Sequence, residues 1–164
     1  MRPKRFEILL VDVAAGLPGV EQAATLAKVG HTGHPLGVAM RLASGAQLWW
    51  QVTAVSTPGD VYGNDEAAPV TGAAPKSREM PELIAVPLRT AAVEQALAAG
   101  IAAAGCEEIA SVEAYSDRQA ASAIEYGLAV RFHNGAVIFV NGLAHIRAGA
   151  SRPTGEYLTL PSEV

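Results

Sequence analysis

A stretch of seventeen residues occurs twice in this chain, each time around a tight glycine turn. Residues 37–53 read GVAMRLASGAQLWWQVT and residues 127–143 read GLAVRFHNGAVIFVNGL. Short turns flanked by alternating apolar residues are the signature of β-hairpins. A hairpin used twice restricts the chain to folds with an antiparallel sheet. The identical positions pair Gly37, Ala39, Arg41, Gly45 and Ala46 with Gly127, Ala129, Arg131, Gly135 and Ala136.

Each hairpin is expected to turn at a dipeptide, Ser44-Gly45 in the first copy and Asn134-Gly135 in the second. A two-residue turn fixes the register, and alternate side chains then share one face of the sheet. The predicted core face carries Met40, Leu42 and Trp49 in the first copy and Leu128, Val130, Phe132, Val137 and Phe139 in the second. The opposite face carries Arg41, Leu48 and Trp50, and in the second copy Arg131.

A second resemblance extends the repeat. The tetrapeptide Val-Glu-Gln-Ala occurs at 20–23 and at 93–96. Each copy follows a short apolar run, 6–13 or 82–86, that has the composition of a buried strand. Helices are predicted over 20–29, 88–105 and 116–124, and a strand is predicted over 109–115. The pattern predicts a strand-helix-hairpin unit used twice, with about 17 extra residues near 109–126 in the second copy.

These elements predict an α+β fold, a two-layer sandwich in which helices cover one face of a largely antiparallel sheet. The alternative is a ferredoxin-like order over residues 6–115 with the second hairpin added at its C-terminal side. Either arrangement forms a single domain over residues 1–164. Its possible halves, 6–55 and 82–145, are joined by a loop over 56–81 that is rich in Pro, Gly and acidic residues.

Composition narrows the classes of function. Half of the 164 residues are hydrophobic, enough for a packed core, and the net charge of −4 argues against nucleic acid as a partner. No apolar run is long enough to span a membrane, so no membrane association is expected. The lone cysteine, Cys106, fits a reducing compartment and predicts a cytoplasmic location. Abundant alanine with few lysines is typical of GC-rich bacteria.

The sequence contains no phosphate-binding loop, nucleophile elbow or dinucleotide-binding motif, so it predicts no cofactor and assigns no enzymatic activity. Apolar sheet surface is plentiful by comparison. We therefore predict a non-catalytic binding or protein-interaction domain, with self-association as a homodimer or a protein partner. The expected working surface is the hairpin face that carries Arg41, Arg131 and Trp50.

Two alternative functions are indicated by other residues. His31 and His34 form an H-x-x-H pair that could place two imidazoles on one metal ion, with Asp12 or His133 completing the site, as in a small metal-dependent enzyme. Arg41 and Arg131 occupy equivalent hairpin positions and could hold a small anionic ligand through their guanidinium groups.

Overall fold

The computed structural model describes residues 1–57, 59–60, 68–83, 87–119, 123–150 and 160–164. Within them the chain forms two helices and a curled six-stranded antiparallel sheet, which confirms the α+β class. A short 3₁₀ turn, Tyr115–Asp117, follows the fourth strand. The elements are α1 (Pro3–Ala15), β1 (Val20–Thr25), β2 (Gly37–Leu42), β3 (Gln47–Val55), α2 (Thr90–Ala103), β4 (Ile109–Ala114), β5 (Gly127–Phe132) and β6 (Val137–Ile146).

The strands lie in the order β1-β2-β3-β6-β5-β4, so the two hairpins meet at the centre of the sheet. Strands β3 and β6 pair from Gln47 opposite Ile146 to Val55 opposite Val137. Each half of the chain has the same order of elements, a helix followed by three strands. This order differs from the ferredoxin-like alternative, in which a strand precedes the first helix.

The first two elements of the chain are the reverse of the prediction. Residues 6–13 lie in helix α1, and residues 20–25 form strand β1. In α1 the residues Phe6, Leu10 and Ala14 are fully buried, whereas Ile8 is 57% exposed. A spacing of four buries one helical face, and Pro3 is well tolerated in the first turn of that helix. The apolar run therefore belongs to a helix and not to a strand.

The repeated tetrapeptide is not a structural repeat. Its first copy, 20–23, lies in β1, and its second copy, 93–96, lies in α2. Four residues do not fix a conformation, because packing against the rest of the chain overrides local propensity. Within the described residues each half is ordered helix-strand-hairpin, and the predicted strand-helix-hairpin order is wrong for the first half.

Each hairpin turns through three residues and not two. Phe132 N–H donates to the Ala136 carbonyl oxygen at 3.0 Å, and Gly135 N–H donates to the Phe132 carbonyl oxygen at 2.9 Å. Gly135 has φ +85°, as expected of the last residue of a three-residue hairpin loop. The first hairpin has the same pattern, with Gly45 at φ +83°. The additional loop residue shifts the register by one and exchanges the two faces of each returning strand.

The main core lies between the sheet and both helices. One side of the sheet, the helix-facing side, packs against α1 and α2, whereas the opposite side, here called the back face, carries a smaller apolar cluster. Residues from both helices and from the strands share the main cluster, among them Phe6, Leu10, Val93, Leu97, Ile101, Val38, Met40, Trp50, Leu128, Val130, Ile138 and Val140.

Other predicted elements have mixed outcomes. The helix over 88–105 and the strand over 109–115 are confirmed in type, as α2 and β4. Part of the predicted strand 82–86 and part of the predicted helix 116–124 lie outside the described residues. In the described part of the chain, no helix has the length and apolar character needed to cross a membrane.

Candidate functional site

The back face is open at one end of the sheet. Val55, at the end of β3, is 58% exposed, and its partner Val137 and the neighbouring Phe139 are half-buried. None of these three residues belongs to either apolar cluster of the described residues. Thr53 and Arg131 lie beside them and are exposed. We call these five residues the open patch.

The other end of the back face is covered. There Trp49 is only 3% exposed, and it belongs to the smaller cluster with Leu26, Leu143 and Ile146. The loop after β1 supplies the cover: the His31 ring meets the Trp49 ring edge-on, with centroids 5.4 Å apart. Trp49 and Phe139 occupy equivalent positions in the two hairpins, 90 residues apart. The same sheet position is therefore buried in one half and accessible in the other.

A cleft of about 600 Å³ adjoins the open patch, with which it shares Val55 and Val137. This volume is within the range of small-ligand and peptide-binding pockets. Three parts of the chain form its walls: the residues at the start of α1, the end of β3 with the segment after it, and the turn of the second hairpin. Polar groups at its walls are Arg2, Ser56, Thr57, Asp60, His133 and Asn134.

Several of these polar groups are engaged within the chain. The Arg2 guanidinium donates two hydrogen bonds to the Asp60 carboxylate, at 2.9 and 3.1 Å. His133 Nε2 lies 3.1 Å from the Ala73 carbonyl oxygen, and Asn134 Oδ1 accepts from Ala136 N–H at 3.0 Å. These contacts hold the walls of the cleft in place.

The structure does not bring Arg41 and Arg131 together. Both lie on the back face, but β3 and β6 separate their strands, and their register positions differ by eight residues along β3. Strand spacing and rise put them roughly 30 Å apart. Arg41 forms an ion pair with Glu21 at 3.0 Å, whereas Arg131 forms none with any described residue. One small ligand therefore cannot contact both guanidinium groups in a single chain.

Trp50 lies on the helix-facing side and has no exposed surface. The sequence predicted it beside Arg41 on the opposite face, and the one-residue shift at the hairpin turn explains the difference. Trp49 takes the back-face position instead. Val137 and Phe139, predicted as core residues, are on the back face for the same reason and form part of the open patch.

His31 and His34 are adjacent, with stacked rings whose centroids are 5.6 Å apart and whose planes differ by 25°. His31 also packs on Trp49, so this pair covers the back-face cluster. Neither Asp12 nor His133 completes a site with them, since the described residues contain no group of three potential metal-ligating side chains. The pair thus lies at the covered end of the sheet, away from the cleft.

Two buried glutamates occupy equivalent positions in the two helices. Glu7 Oε1 accepts from Gly37 N–H at 3.0 Å, and Glu94 Oε1 accepts from Gly127 N–H at 2.6 Å. Each carboxylate thus ties its helix to the first residue of the following hairpin. The sequence analysis missed both. The available signal was the spacing Phe6-Glu7-x-x-Leu10 and Val93-Glu94-x-x-Leu97, which aligns the two helices.

A polar network fastens the long connecting segment to the second half. The Arg78 guanidinium donates to Val112 O at 3.2 Å, to Gln95 Oε1 at 2.6 Å and to Asp117 Oδ2 at 2.5 Å. Partial burial acts to raise the pKa of Asp117, but hydrogen bonds from Arg78 and Gln95 outweigh it and hold that pKa below its ordinary value. The network is structural, since its members bond to one another.

No known protein family matches this chain, and no curated protein or solved structure is significantly similar to it.

Proposed function

We propose that this chain is a non-catalytic binding domain that contacts a protein partner, in the first instance a second copy of itself, through the open patch and the adjoining cleft. The observation that carries the proposal is the contrast between the two ends of the back face. One end is covered by its own loop, and the other leaves Val55, Val137 and Phe139 unpacked.

The composition of the open patch supports a protein partner. Its centre is apolar, and its margin holds the Thr53 hydroxyl and the Arg131 guanidinium. Protein interfaces combine an apolar centre with a polar rim and are enriched in aromatic residues and arginine. Arg131 has no ion pair with any described residue, so its guanidinium is available to an acidic group of a partner. In this proposal Arg131 keeps the binding role that the sequence predicted.

We also infer that the two halves arose by duplication of a helix-strand-hairpin unit inside one domain over residues 1–164. Three correspondences support this inference: the hairpins are 90 residues apart, the glutamates bond to equivalent glycines, and the side chains of Leu26 and Tyr115 approach those same glycines. If the two halves are copies of one unit, the presence of the open patch on one half alone results from divergence between the copies.

Sedimentation velocity over a wide range of protein concentration tests the proposal. We expect the wild-type chain to self-associate reversibly and Val55→Asp to shift it to monomer, because a carboxylate at the centre of an apolar contact is costly to bury. Ile8→Asp is the matched control: Ile8 is 57% exposed, like Val55 at 58%, but lies on the outer surface of α1. This variant should associate like the wild type.

Two outcomes would contradict the proposal. The first is a wild-type chain that stays monomeric at the highest concentration reached. The second is association that Ile8→Asp weakens as much as Val55→Asp does, which would place the contact on the helical layer.

A further inference from the structure

A second cavity, here called the groove, lies at the opposite end of the central strand pair and has a volume of about 360 Å³. The turn of the first hairpin, the end of β6, Pro87 in the segment before α2 and the C-terminal segment form its walls. The residues that matter for its chemistry are Ser44, Pro87, His145, Arg147, Ala148 and Glu163.

The groove is the structural counterpart of the cleft. The cleft is formed by the second hairpin turn, the end of β3 and residues before α1, and the groove by the first hairpin turn, the end of β6 and Pro87 before α2. Leu48 pairs with His145 in the groove as its counterpart Ile138 pairs with Ala54 in the cleft, because a bulge in β6 adds one residue to the offset of 90. The same framework therefore presents an apolar side chain at one end and an imidazole at the other.

One ring nitrogen of His145 is left without a hydrogen bond by the described residues. Its Nε2 atom is buried and has no hydrogen-bond partner among the described residues. Burial, and secondly the positive charge of Arg147, lower the pKa of His145, so the imidazole is neutral at pH 7. A buried polar group without a partner destabilises the fold. Such an orphaned group beside a cavity indicates a site that a ligand can complete.

Other donors converge on the same groove. The Arg147 side chain is exposed and forms no ion pair with any residue that the structure describes. The Ser44 Oγ atom accepts from Ala46 N–H at 3.3 Å, which leaves its hydroxyl hydrogen free to be donated. Pro87 and Ala148 provide apolar walls, and the Glu163 carboxylate lies at the rim.

We propose that the groove binds a small monocarboxylate with a short apolar body. The carboxylate accepts hydrogen bonds from the Arg147 guanidinium and, after a small rotation of the imidazole, from the Nε2–H group of His145. The apolar body lies against Pro87 and Ala148. Glu163 disfavours dianions such as phosphate, since it adds a like charge at the rim. This site is independent of the partner surface proposed above.

Histidine-ring NMR of the full chain tests the proposal, with sodium benzoate as probe and benzamide as its neutral isostere. We expect saturable shifts of the His145 ring signals with benzoate and a rise in the pKa of His145 on saturation, because a carboxylate beside it stabilises the imidazolium form. The other charged groups that face this ring are Arg147 and Glu163. Benzamide should bind about tenfold more weakly or worse.

Arg147→Gln should weaken benzoate binding by about tenfold or more and leave benzamide binding unchanged. Because Arg147 is exposed, this variant should fold normally. Arg41→Gln is the matched control, since it removes a back-face guanidinium that does not line the groove and should not alter benzoate affinity. Equal binding of benzoate and benzamide, displacement of benzoate by equimolar phosphate, or the lack of any saturable shift would each overturn the proposal.

Discussion

The two halves of this molecule share one framework and differ in what covers it. On the back face, equivalent hairpin positions hold Trp49, sealed by the loop that carries His31, and Phe139, which no apolar cluster includes. In the helices, Glu7 and Glu94 each accept a hydrogen bond from a hairpin glycine, but the second oxygen of Glu7 pairs with Lys4, whereas that of Glu94 accepts from Ser116 N–H. Two halves with the same order of elements thus differ in how far their equivalent surfaces are packed.

The largest expected change in the free energy of unfolding comes from truncating one of the two equivalent aromatic residues, Trp49 and Phe139. Trp49→Ala removes a fully packed side chain and should lower the free energy of unfolding by about 3–5 kcal/mol. Phe139→Ala removes a half-exposed one and should cost about 1 kcal/mol. Denaturant unfolding measures both changes. Equal costs for the two substitutions would show that Phe139 is packed as firmly as Trp49, and the open patch would then not exist.

A second test uses the residues where the halves meet. Asn141 Oδ1 accepts a hydrogen bond from the buried Tyr115 hydroxyl at 3.0 Å, whereas Oε1 of its counterpart Gln51 is buried without a partner among the described residues. Asn141→Leu leaves the Tyr115 hydroxyl unpaired and should lower the free energy of unfolding by about 1–3 kcal/mol. Gln51→Leu removes an unsatisfied atom and should raise it by about 0.5–1 kcal/mol.

Both changes can be read from thermal or denaturant unfolding. As a control, Tyr115→Phe in the Asn141→Leu background should recover part of the loss, because it removes the unpaired hydroxyl. If Gln51→Leu destabilises the chain as much as Asn141→Leu, the two positions are equivalent and this difference between the halves is wrong.

The paired glutamates offer a pH-dependent test. Burial raises the pKa of Glu94 above 4.5, and hydrogen bonds from Ser116 and Gly127 only partly oppose this shift. The ionised form is therefore disfavoured in the folded state, so the stability that Glu94 contributes at low pH is lost as pH rises through its folded pKa. Glu94→Gln keeps an acceptor for Gly127 N–H but loses the acceptor for Ser116 N–H, so the chain should gain less than about 1 kcal/mol of stability at pH 7.

Glu7→Gln is the matched control for that substitution. It keeps an acceptor for Gly37 N–H but loses the ion pair with Lys4, so it should destabilise the chain at pH 7 by up to about 1 kcal/mol. Unfolding measured from pH 4 to pH 8 should show the gain from Glu94→Gln vanishing at the acidic end. A gain independent of pH would mean that burial of the Glu94 charge is not its cause.

The sequence predicted much of this framework but not the surfaces that differ. Both hairpins and the α+β class follow from alternation and turn residues, which are local signals. The register of the hairpins does not follow from these signals, because Asn134-Gly135 is compatible with a two-residue turn and with a three-residue loop. In the first hairpin, the additional loop residue decides whether Trp49 or Trp50 faces the helices.

Helix α1 and the open patch were missed for different reasons. The run over 6–13 is apolar enough to fit a buried strand as well as a helix, so its period is ambiguous. The patch depends on which parts of the back face the connecting loops cover, a long-range property. The common spacing of apolar residues around Glu7 and Glu94 is visible in the sequence, and it would have aligned the two helices correctly.

The smallest expected effect comes from the arginines that first marked the repeat. Arg41 and Glu21 form a half-exposed ion pair, so Arg41→Gln should lower the free energy of unfolding by about 0.3–0.5 kcal/mol at low salt and by less at high salt. Arg131 has no such partner among the described residues, and Arg131→Gln should leave unfolding unchanged while it weakens self-association. Urea unfolding at two salt concentrations, together with sedimentation, separates these roles. A loss of stability in Arg131→Gln equal to that in Arg41→Gln would assign both arginines to the fold and leave the open patch without its charged contact.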